Sequence, residues 1–210
     1  MKEEFIELLR STNREGMDKV IAKLEKMGFF TAPASSKNHL CREGGLVEHS
    51  LNVYKMAKMI HGQLQLSNPE IKIKEESVII ASLLHDVCKA DIYKIGVKWR
   101  KDDQGRWEQY EAYEIDYTNF PMGHGEKSVM MLLMCGLRME QDELLAIRWH
   151  MGAWNLAFQN FEDKSCISAA ADKCPLLTLI QAADNLAAHV LEVIYELGIR
   201  SLELKGVKGS

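Results

Sequence analysis

Four polar side chains stand at positions where the sequence otherwise predicts buried, apolar helix faces: His49, His85, Asp86 and Asp184. His49 falls on the same helical spacing as Leu46 and Val53. The His-Asp pair directly follows the apolar run 78–84. Asp184 interrupts a stripe of apolar residues at helical spacing: Leu176, Ile180, Ala187 and Leu191. A buried carboxylate without a partner costs several kcal/mol, so each aspartate here needs a cation or strong donors.

A single divalent metal ion bound by these two imidazoles and two carboxylates would offset the free-energy cost of burying all four. Nitrogen and oxygen ligands without thiolate suit zinc, iron, manganese or nickel better than a structural zinc–thiolate site. Taken alone, His49 is also compatible with a hydrogen-bonded core histidine, and Asp184 with a carboxylate that caps or bonds a neighbouring helix. The joint order His, His-Asp, Asp along apolar helical segments favours a metal site.

The motif order resembles the HD superfamily of metal-dependent phosphohydrolases. The resemblance rests on the segments 43–50 (EGGLVEHS), 83–89 (LLHDVCK) and 183–186 (ADNL), and it covers about residues 38–191. It implies a mainly α fold, an HD-domain helical bundle around a divalent metal, and hydrolysis of a phosphate ester or anhydride. It also implies catalytic roles for Asp86 and Lys89, with Lys89 meeting a substrate phosphate; a surface lysine is the alternative.

Two further histidines, His124 and His150, lie between the HD pair and Asp184. Binuclear relatives, including HD-GYP phosphodiesterases and an HD-domain 3′-5′ exoribonuclease, carry additional histidines in this interval. By that analogy one ion is held by His49, His85, Asp86 and Asp184, and Asp86 bridges to a second ion held by His124 and His150. The alternative is that His124 caps its helix and His150 contacts substrate. No Gly-Tyr-Pro segment follows His150, so the sequence does not support cleavage of cyclic dinucleotides.

The loop before the first histidine supplies two candidate substrate-binding residues, His39 and Arg42. The segment 38–46 is similar to the segment that precedes the first metal ligand in the exoribonuclease. The additional nucleic-acid-binding domain of that enzyme, however, has no room in this sequence. Both side chains could bind a phosphate, and a solvated loop is an equal alternative.

Helical periodicity predicts the elements that position these residues, with a β-hairpin inserted at about 92–115. Alternating apolar residues and the turn signal 102–105 indicate the hairpin. Its aromatic residues could stack a base, but packing in the core of the hairpin is favoured for Trp99, Trp107, Tyr110 and Tyr113. We expect N-terminal helices over 1–30, the metal-binding domain with its hairpin over 31–200, and a C-terminal tail over 201–210.

Composition narrows the classes of function. With 26 Lys and Arg against 30 Asp and Glu, the net charge is −4, which argues against binding of extended nucleic acid. Five cysteines without a Cys-x-x-Cys pair indicate free thiols in a reducing cytoplasm, and no apolar run is long enough to span a membrane. The sequence thus predicts a cytoplasmic phosphohydrolase with one or two divalent ions and a phosphorylated small molecule, such as a nucleotide, as substrate. A regulatory module that keeps its metal, or a nuclease acting on short single strands, stays open.

Overall fold

The computed structural model describes residues 1–152 and 161–193. Its elements, in chain order, are α1 (Lys2–Ser11), α2 (Met17–Lys26), α3 (Gly45–Ser67), α4 (Glu75–Leu84), α5 (Lys89–Ile92), β1 (Tyr93–Lys101), β2 (Trp107–Ile115), α6 (His124–Met134), α7 (Gln141–Trp149), α8 (Phe161–Lys173), α9 (Pro175–Leu186) and a π-helix (Ala187–Leu191). The expected mainly α fold with an inserted β-hairpin is confirmed. No helix among the described residues is long and apolar enough to cross a bilayer.

Helix α4 lies at the centre of the helical bundle. All its residues from Ser77 to Leu84 are buried, because α1, α3, α7 and α9 pack around it. A helix that is apolar on every side is stable only when neighbours cover it completely. This packing fixes the end of α4, where the His-Asp pair follows, in the interior of the protein.

A buried ion pair joins the loop after α1 to helix α7. Arg14 donates two hydrogen bonds of 2.8 Å to Glu143, which is fully buried and also accepts a 2.7 Å bond from Ser77. The pair therefore ties the N-terminal segment to the bundle. The domain boundaries that we expect at residues 30 and 200 stay predictions, and the tail 201–210 lies outside the described residues.

The hairpin is a two-stranded antiparallel sheet in which Tyr93 pairs with Ile115 and Lys101 with Trp107. In the turn, Asp102 Oδ1 accepts hydrogen bonds from two backbone amides. The expectation that the hairpin tryptophans pack in a core is wrong, because Trp99 is 59% and Trp107 is 64% exposed. Strands β1 and β2 pair only with each other among the described residues, and both tryptophan side chains lie largely in solvent.

The last helix changes its winding within one turn of Asp184. Helix α9 continues as the π-helix Ala187–Leu191, which inserts one extra residue in the turn. The sequence predicts Leu191 on the buried stripe, and this is wrong: Leu191 is 37% exposed, whereas Glu192 is 1% exposed. The wider turn rotates Glu192 into the interior in place of Leu191.

Two glycines allow close approaches that position the site. A Cβ atom at Gly125 would lie 2.1 Å from the carbonyl oxygen of Arg148, so only glycine lets the start of α6 meet the end of α7. A Cβ atom at Gly45 would lie 2.0 Å from the carbonyl oxygen of Leu40. The second approach holds the preceding loop against the start of α3.

Candidate metal centre

The six side chains predicted as metal ligands meet in one cluster in the bundle: His49 within α3, His85 and Asp86 after α4, His124 at the start of α6, His150 after α7, and Asp184 on α9. The imidazoles follow one another in space. Ring centroids are 5.3 Å apart for His49 and His85, 4.9 Å for His85 and His150, and 5.2 Å for His150 and His124. Residues separated by up to 135 positions in sequence are thus brought within contact of each other.

The carboxylate of Asp86 divides this cluster into two sides. Its Oδ2 atom lies 3.3 Å from Nε2 of His85 and 3.6 Å from Nε2 of His49. Its Oδ1 atom contacts Nε2 of His124 and lies 3.4 Å from Nε2 of His150. We call these the Oδ2 side and the Oδ1 side. One carboxylate therefore faces two pairs of histidines with different oxygens.

Asp184 belongs to the Oδ2 side. Its Oδ1 atom lies 3.2 Å from Nε2 of His49 and 4.0 Å from Nε2 of His85. The ligand atoms of these three side chains all lie within 4.8 Å of one another, and so do those of His85, Asp86 and His150. The Oδ2 side thus offers two imidazoles and two carboxylates, while the Oδ1 side offers two imidazoles and the shared carboxylate.

Three buried imidazoles point an unpartnered nitrogen into the cluster. Nε2 of His49, His85 and His150 has no hydrogen-bond partner among the described residues. The opposite nitrogen, Nδ1, lies within hydrogen-bond distance of an acceptor in each case: Glu192 Oε1 at 2.9 Å, the Ser82 carbonyl at 2.8 Å and the Ile147 carbonyl at 2.7 Å, respectively. If Nδ1 donates its proton to that acceptor, the lone pair remains on Nε2. This arrangement fits a metal ion, because orphaned buried polar atoms are otherwise costly.

The electrostatics of the cluster also favour added positive charge. Burial alone would raise the pKa of Asp86, but Lys89, His85 and His124 hold it well below its usual range. Burial alone would lower the pKa of His49, but the carboxylates of Asp184 and Glu192 raise it to about 9. The carboxylates thus stabilise a cation at this position, and a metal ion satisfies that demand in place of a proton.

Lys89, predicted to bind a substrate phosphate, lies one helical turn beyond Asp86 at the edge of the cluster. Its Nζ atom donates to Asp86 Oδ2 at 2.6 Å, and its side chain is 12% exposed. Burial would lower the pKa of Lys89, but the Asp86 carboxylate raises it above the usual range, so the ammonium stays charged. The structure thus places this cation beside the predicted metal ligands, with one of its three donors bonded to Asp86.

The two loop residues predicted to bind substrate occupy different places. The ring of His39 lies 5.1 Å from that of His49, and burial together with His49 lowers the pKa of His39 to about 4. Arg42 forms its ion pair with Glu48 rather than with a side chain of the cluster. His39 therefore borders the centre, whereas the Arg42 side chain is paired with Glu48.

Glu192 was missed by the sequence reasoning. It is buried beside His49, and its Oε1 atom also accepts a 3.3 Å hydrogen bond from Asn52, one turn along α3. Its Oε2 atom has no hydrogen-bond partner among the described residues and lies 3.8 Å from Nε2 of His39. The only sign of Glu192 in the sequence is that an acidic residue directly follows position 191 of the expected apolar stripe. The π-turn cannot be recognised from the spacing of apolar residues.

Cys88 touches the cluster without serving as a thiolate ligand. Its sulfur lies 3.1 Å from Nδ1 of His124. Burial and the nearby Asp86 carboxylate raise the pKa of the Cys88 thiol to about 12. The thiol therefore stays protonated near neutral pH.

Four histidines and two aspartates from different helices thus lie close together inside a helical bundle, and this donor set suits a divalent metal ion. The sequence model of the HD domain matches residues 46–189, which include all six side chains. The chain belongs to the HD domain family, a family of metal-dependent phosphohydrolases.

One curated relative is a dihydroneopterin 2′,3′-cyclic phosphate phosphodiesterase from Methanocaldococcus jannaschii. It is 33% identical over 86 residues, which make up 41% of this chain and 32% of that protein. The aligned part thus spans about a third of the relative's length. No solved structure matches the chain.

Proposed function

We propose that the cluster is a binuclear metal centre and that the protein hydrolyses a phosphate ester or phosphodiester of a nucleotide. The observation that carries this proposal is the set of three buried, unpartnered Nε2 atoms around the carboxylate of Asp86. Each is an imidazole nitrogen whose partner nitrogen is already bonded, which is the arrangement of a metal-ligating histidine.

The two sides of Asp86 suggest how the ligands are shared. The first position would be held by His49, His85, Asp86 and Asp184, and the second by Asp86, His124 and His150. The donor set suits iron, manganese, nickel or zinc. A divalent ion bound by these residues would supply hydroxide near neutral pH and would neutralise charge on the phosphoryl oxygens.

The side chains around the metal ligands would bind and orient the substrate. Lys89 keeps two N–H donors beyond the one bonded to Asp86, so it can hold a phosphoryl oxygen while Asp86 stays fixed. His39 is held neutral beside the centre and can donate one hydrogen bond to the substrate. A role for Arg42 requires substrate to extend beyond the loop towards the Arg42–Glu48 pair.

The name of the curated relative favours a diester as the substrate class. That protein acts on a 2′,3′-cyclic phosphate, which is a phosphodiester within one small molecule. We therefore infer that a phosphorylated small molecule with a diester bond is a better substrate than a monoester. A regulatory module that keeps its metal for stability is the competing function, and turnover distinguishes the two.

The test is a substrate panel with purified protein loaded with manganese, iron, nickel or zinc. We expect hydrolysis of 2′,3′-cyclic nucleotides or p-nitrophenyl phosphodiesters, and loss of activity in Asp86→Asn. His189→Ala is the matched control, because this histidine is exposed on the π-helix and lies outside the cluster. Full metal content without turnover of any mono-, di- or triphosphate, cyclic nucleotide or oligonucleotide would favour the regulatory module instead.

A further inference from the structure

A groove next to the metal centre has a composition that the proposed chemistry does not explain. It is a cavity of about 720 Å³ between the loop before α3 and the hairpin, and we call it the hairpin groove. The residues that matter here are Lys37 and Arg42 from the loop, and Ile95, Lys98, Tyr110 and Tyr113 from the hairpin. Its volume falls in the range of small-molecule sites.

The hairpin supplies the aromatic part of the groove through two cross-strand pairs, Ile95 with Tyr113 and Lys98 with Tyr110. A two-stranded ribbon is strongly twisted, so residues from both of its faces can reach one groove. Both tyrosines are half-buried, unlike the exposed tryptophans nearer the hairpin turn. The Arg100 guanidinium lies 5.1 Å from the centroid of the Tyr110 ring, which fixes that ring in place.

The groove also contains positive charge without a protein counterion. Lys37 and Lys98 form no ion pair with any described residue, and Lys98 is half-buried. Arg42 is neutralised by Glu48, and Glu111 contributes one negative charge to the lining. A partly desolvated ammonium without a carboxylate partner favours an anionic ligand.

The loop before α3 connects the groove to the metal centre, because it lines the groove and also carries His39. Every loop residue that lines it lies within three positions of His39, so their Cα atoms are within about 11 Å of that of His39. The imidazole of His39 in turn lies 5.1 Å from that of His49. Glu48, which holds Arg42 at the groove, directly precedes His49 in α3.

We propose that the hairpin groove binds a planar heterocycle and a second phosphate of the substrate, while the phosphate to be cleaved lies at the metal centre. Tyr110 and Tyr113 contact the ring, and Lys37 and Lys98 bind the second phosphate. Stacking on aromatic side chains tolerates any base, because every base has a π face. This inference rests on the proposed function for the position of the reacting phosphate, and it adds the substrate class.

The test compares three probes by isothermal titration calorimetry on the metal-loaded protein: ribose 5-phosphate, AMP and adenosine 3′,5′-bisphosphate. We expect AMP to bind roughly tenfold tighter than ribose 5-phosphate, since stacking of one base supplies about this much affinity. We expect the bisphosphate to bind tighter than AMP, by a factor that falls as salt rises.

Two double variants test which residues produce each of these two differences in affinity. The double change Tyr110→Leu with Tyr113→Leu is expected to remove the preference for AMP over ribose 5-phosphate. Lys37→Ala with Lys98→Ala is expected to remove the preference for the bisphosphate. Trp107→Leu is the matched control, because it is an exposed hairpin aromatic outside the groove and is expected to change neither ratio.

The proposal is overturned if the wild type binds the two probes of either comparison with about equal affinity. It is also overturned if an affinity preference remains in the double variant that is expected to remove it. These outcomes are distinguishable from failure of the proposed function. Turnover of the substrate panel with both ratios near one would leave the hydrolase in place without this groove. Both ratios as expected without any turnover would leave the groove in place without the hydrolase.

Discussion

The two sides of the Asp86 carboxylate differ in the charge that surrounds them. On the Oδ2 side, Asp184 lies 3.2 Å from His49, and Glu192 contacts the far nitrogen of the same imidazole. On the Oδ1 side, no carboxylate besides Asp86 lies within 4 Å of His124 or His150 among the described residues. The Oδ2 side therefore has two additional carboxylates against one ammonium, that of Lys89. Because the net charge on this side is the more negative, we expect the first ion to bind more tightly than the second.

The groups that contact Nδ1 of the four imidazoles also differ between the two sides. His49 is supported by a carboxylate, whereas His85 and His150 are supported by backbone carbonyls, and His124 faces the thiol of Cys88. A charged partner at Nδ1 raises the basicity of a metal-ligating imidazole more than a neutral one does. Two similar sets of ligands would therefore hold their ions with different affinities, because the groups that contact the far side of each imidazole differ.

Removal of the shared carboxylate is expected to have the largest effect, because it serves both sides. In Asp86→Asn we expect loss of both metals and of activity. Bound metal stabilises the folded state by mass action, by about 4 kcal/mol at a thousandfold excess over the dissociation constant. The measurement is metal content by elemental analysis, with the melting temperature recorded with and without a chelator.

The chelator control separates loss of metal from loss of packing. Asp86→Asn also weakens the partner of the buried Lys89 ammonium, so its melting temperature falls for two reasons. We expect the chelator to lower the melting temperature of the wild type and to leave that of the variant unchanged. A variant that keeps full metal content would refute the central place of Asp86.

The next effect should separate the two sides. If the wild type holds two equivalents of metal, His124→Ala and His150→Ala should each keep about one, because the Oδ2 side retains all its ligands. His49→Ala should instead disturb the tighter first ion. Elemental analysis of matched preparations checks this, with the exposed His189→Ala as the control. Unchanged stoichiometry in both Oδ1-side variants would leave a mononuclear site with four ligands.

The six residues that the sequence proposes as ligands lie close together in the structure, and for some of them a local pattern gave the signal. His49 and Asp184 interrupt apolar stripes, and both lie in helices where the structure buries most of those stripes. Glu192 escaped because a π-turn shifts the helical register by one residue, and the apolar spacing does not reveal such a turn. Trp99 was misjudged for a similar reason: alternation predicts a strand, but not whether another layer covers it.

A third prediction tests whether the Oδ2 side is also the substrate side. Lys89 donates to Asp86 Oδ2, so its ammonium lies at that side of the carboxylate. Lys89→Ala is expected to keep its metal and to lose about 10²-fold in kcat, the usual effect of removing one donor to a developing charge. Elemental analysis paired with steady-state kinetics gives the result. Full activity in this variant would remove Lys89 from the mechanism.

The smallest effect is expected from Glu192, which contacts a predicted ligand, His49, and is not itself a predicted ligand. A change at Glu192 therefore tests the difference between the two sides most directly. Glu192→Gln keeps the size of the side chain and its contact with His49, but it removes the negative charge. Loss of such an outer partner costs about 10- to 100-fold in metal affinity, so the first ion should weaken by this amount. The second ion should keep its affinity, since neither His124 nor His150 contacts Glu192 among the described residues.

Competition with a chromophoric chelator resolves the two affinities, and Asn52→Ala is the control that removes a neutral donor to the same oxygen. Equal weakening of both ions would show that Glu192 supports the bundle as a whole and not the Oδ2 side.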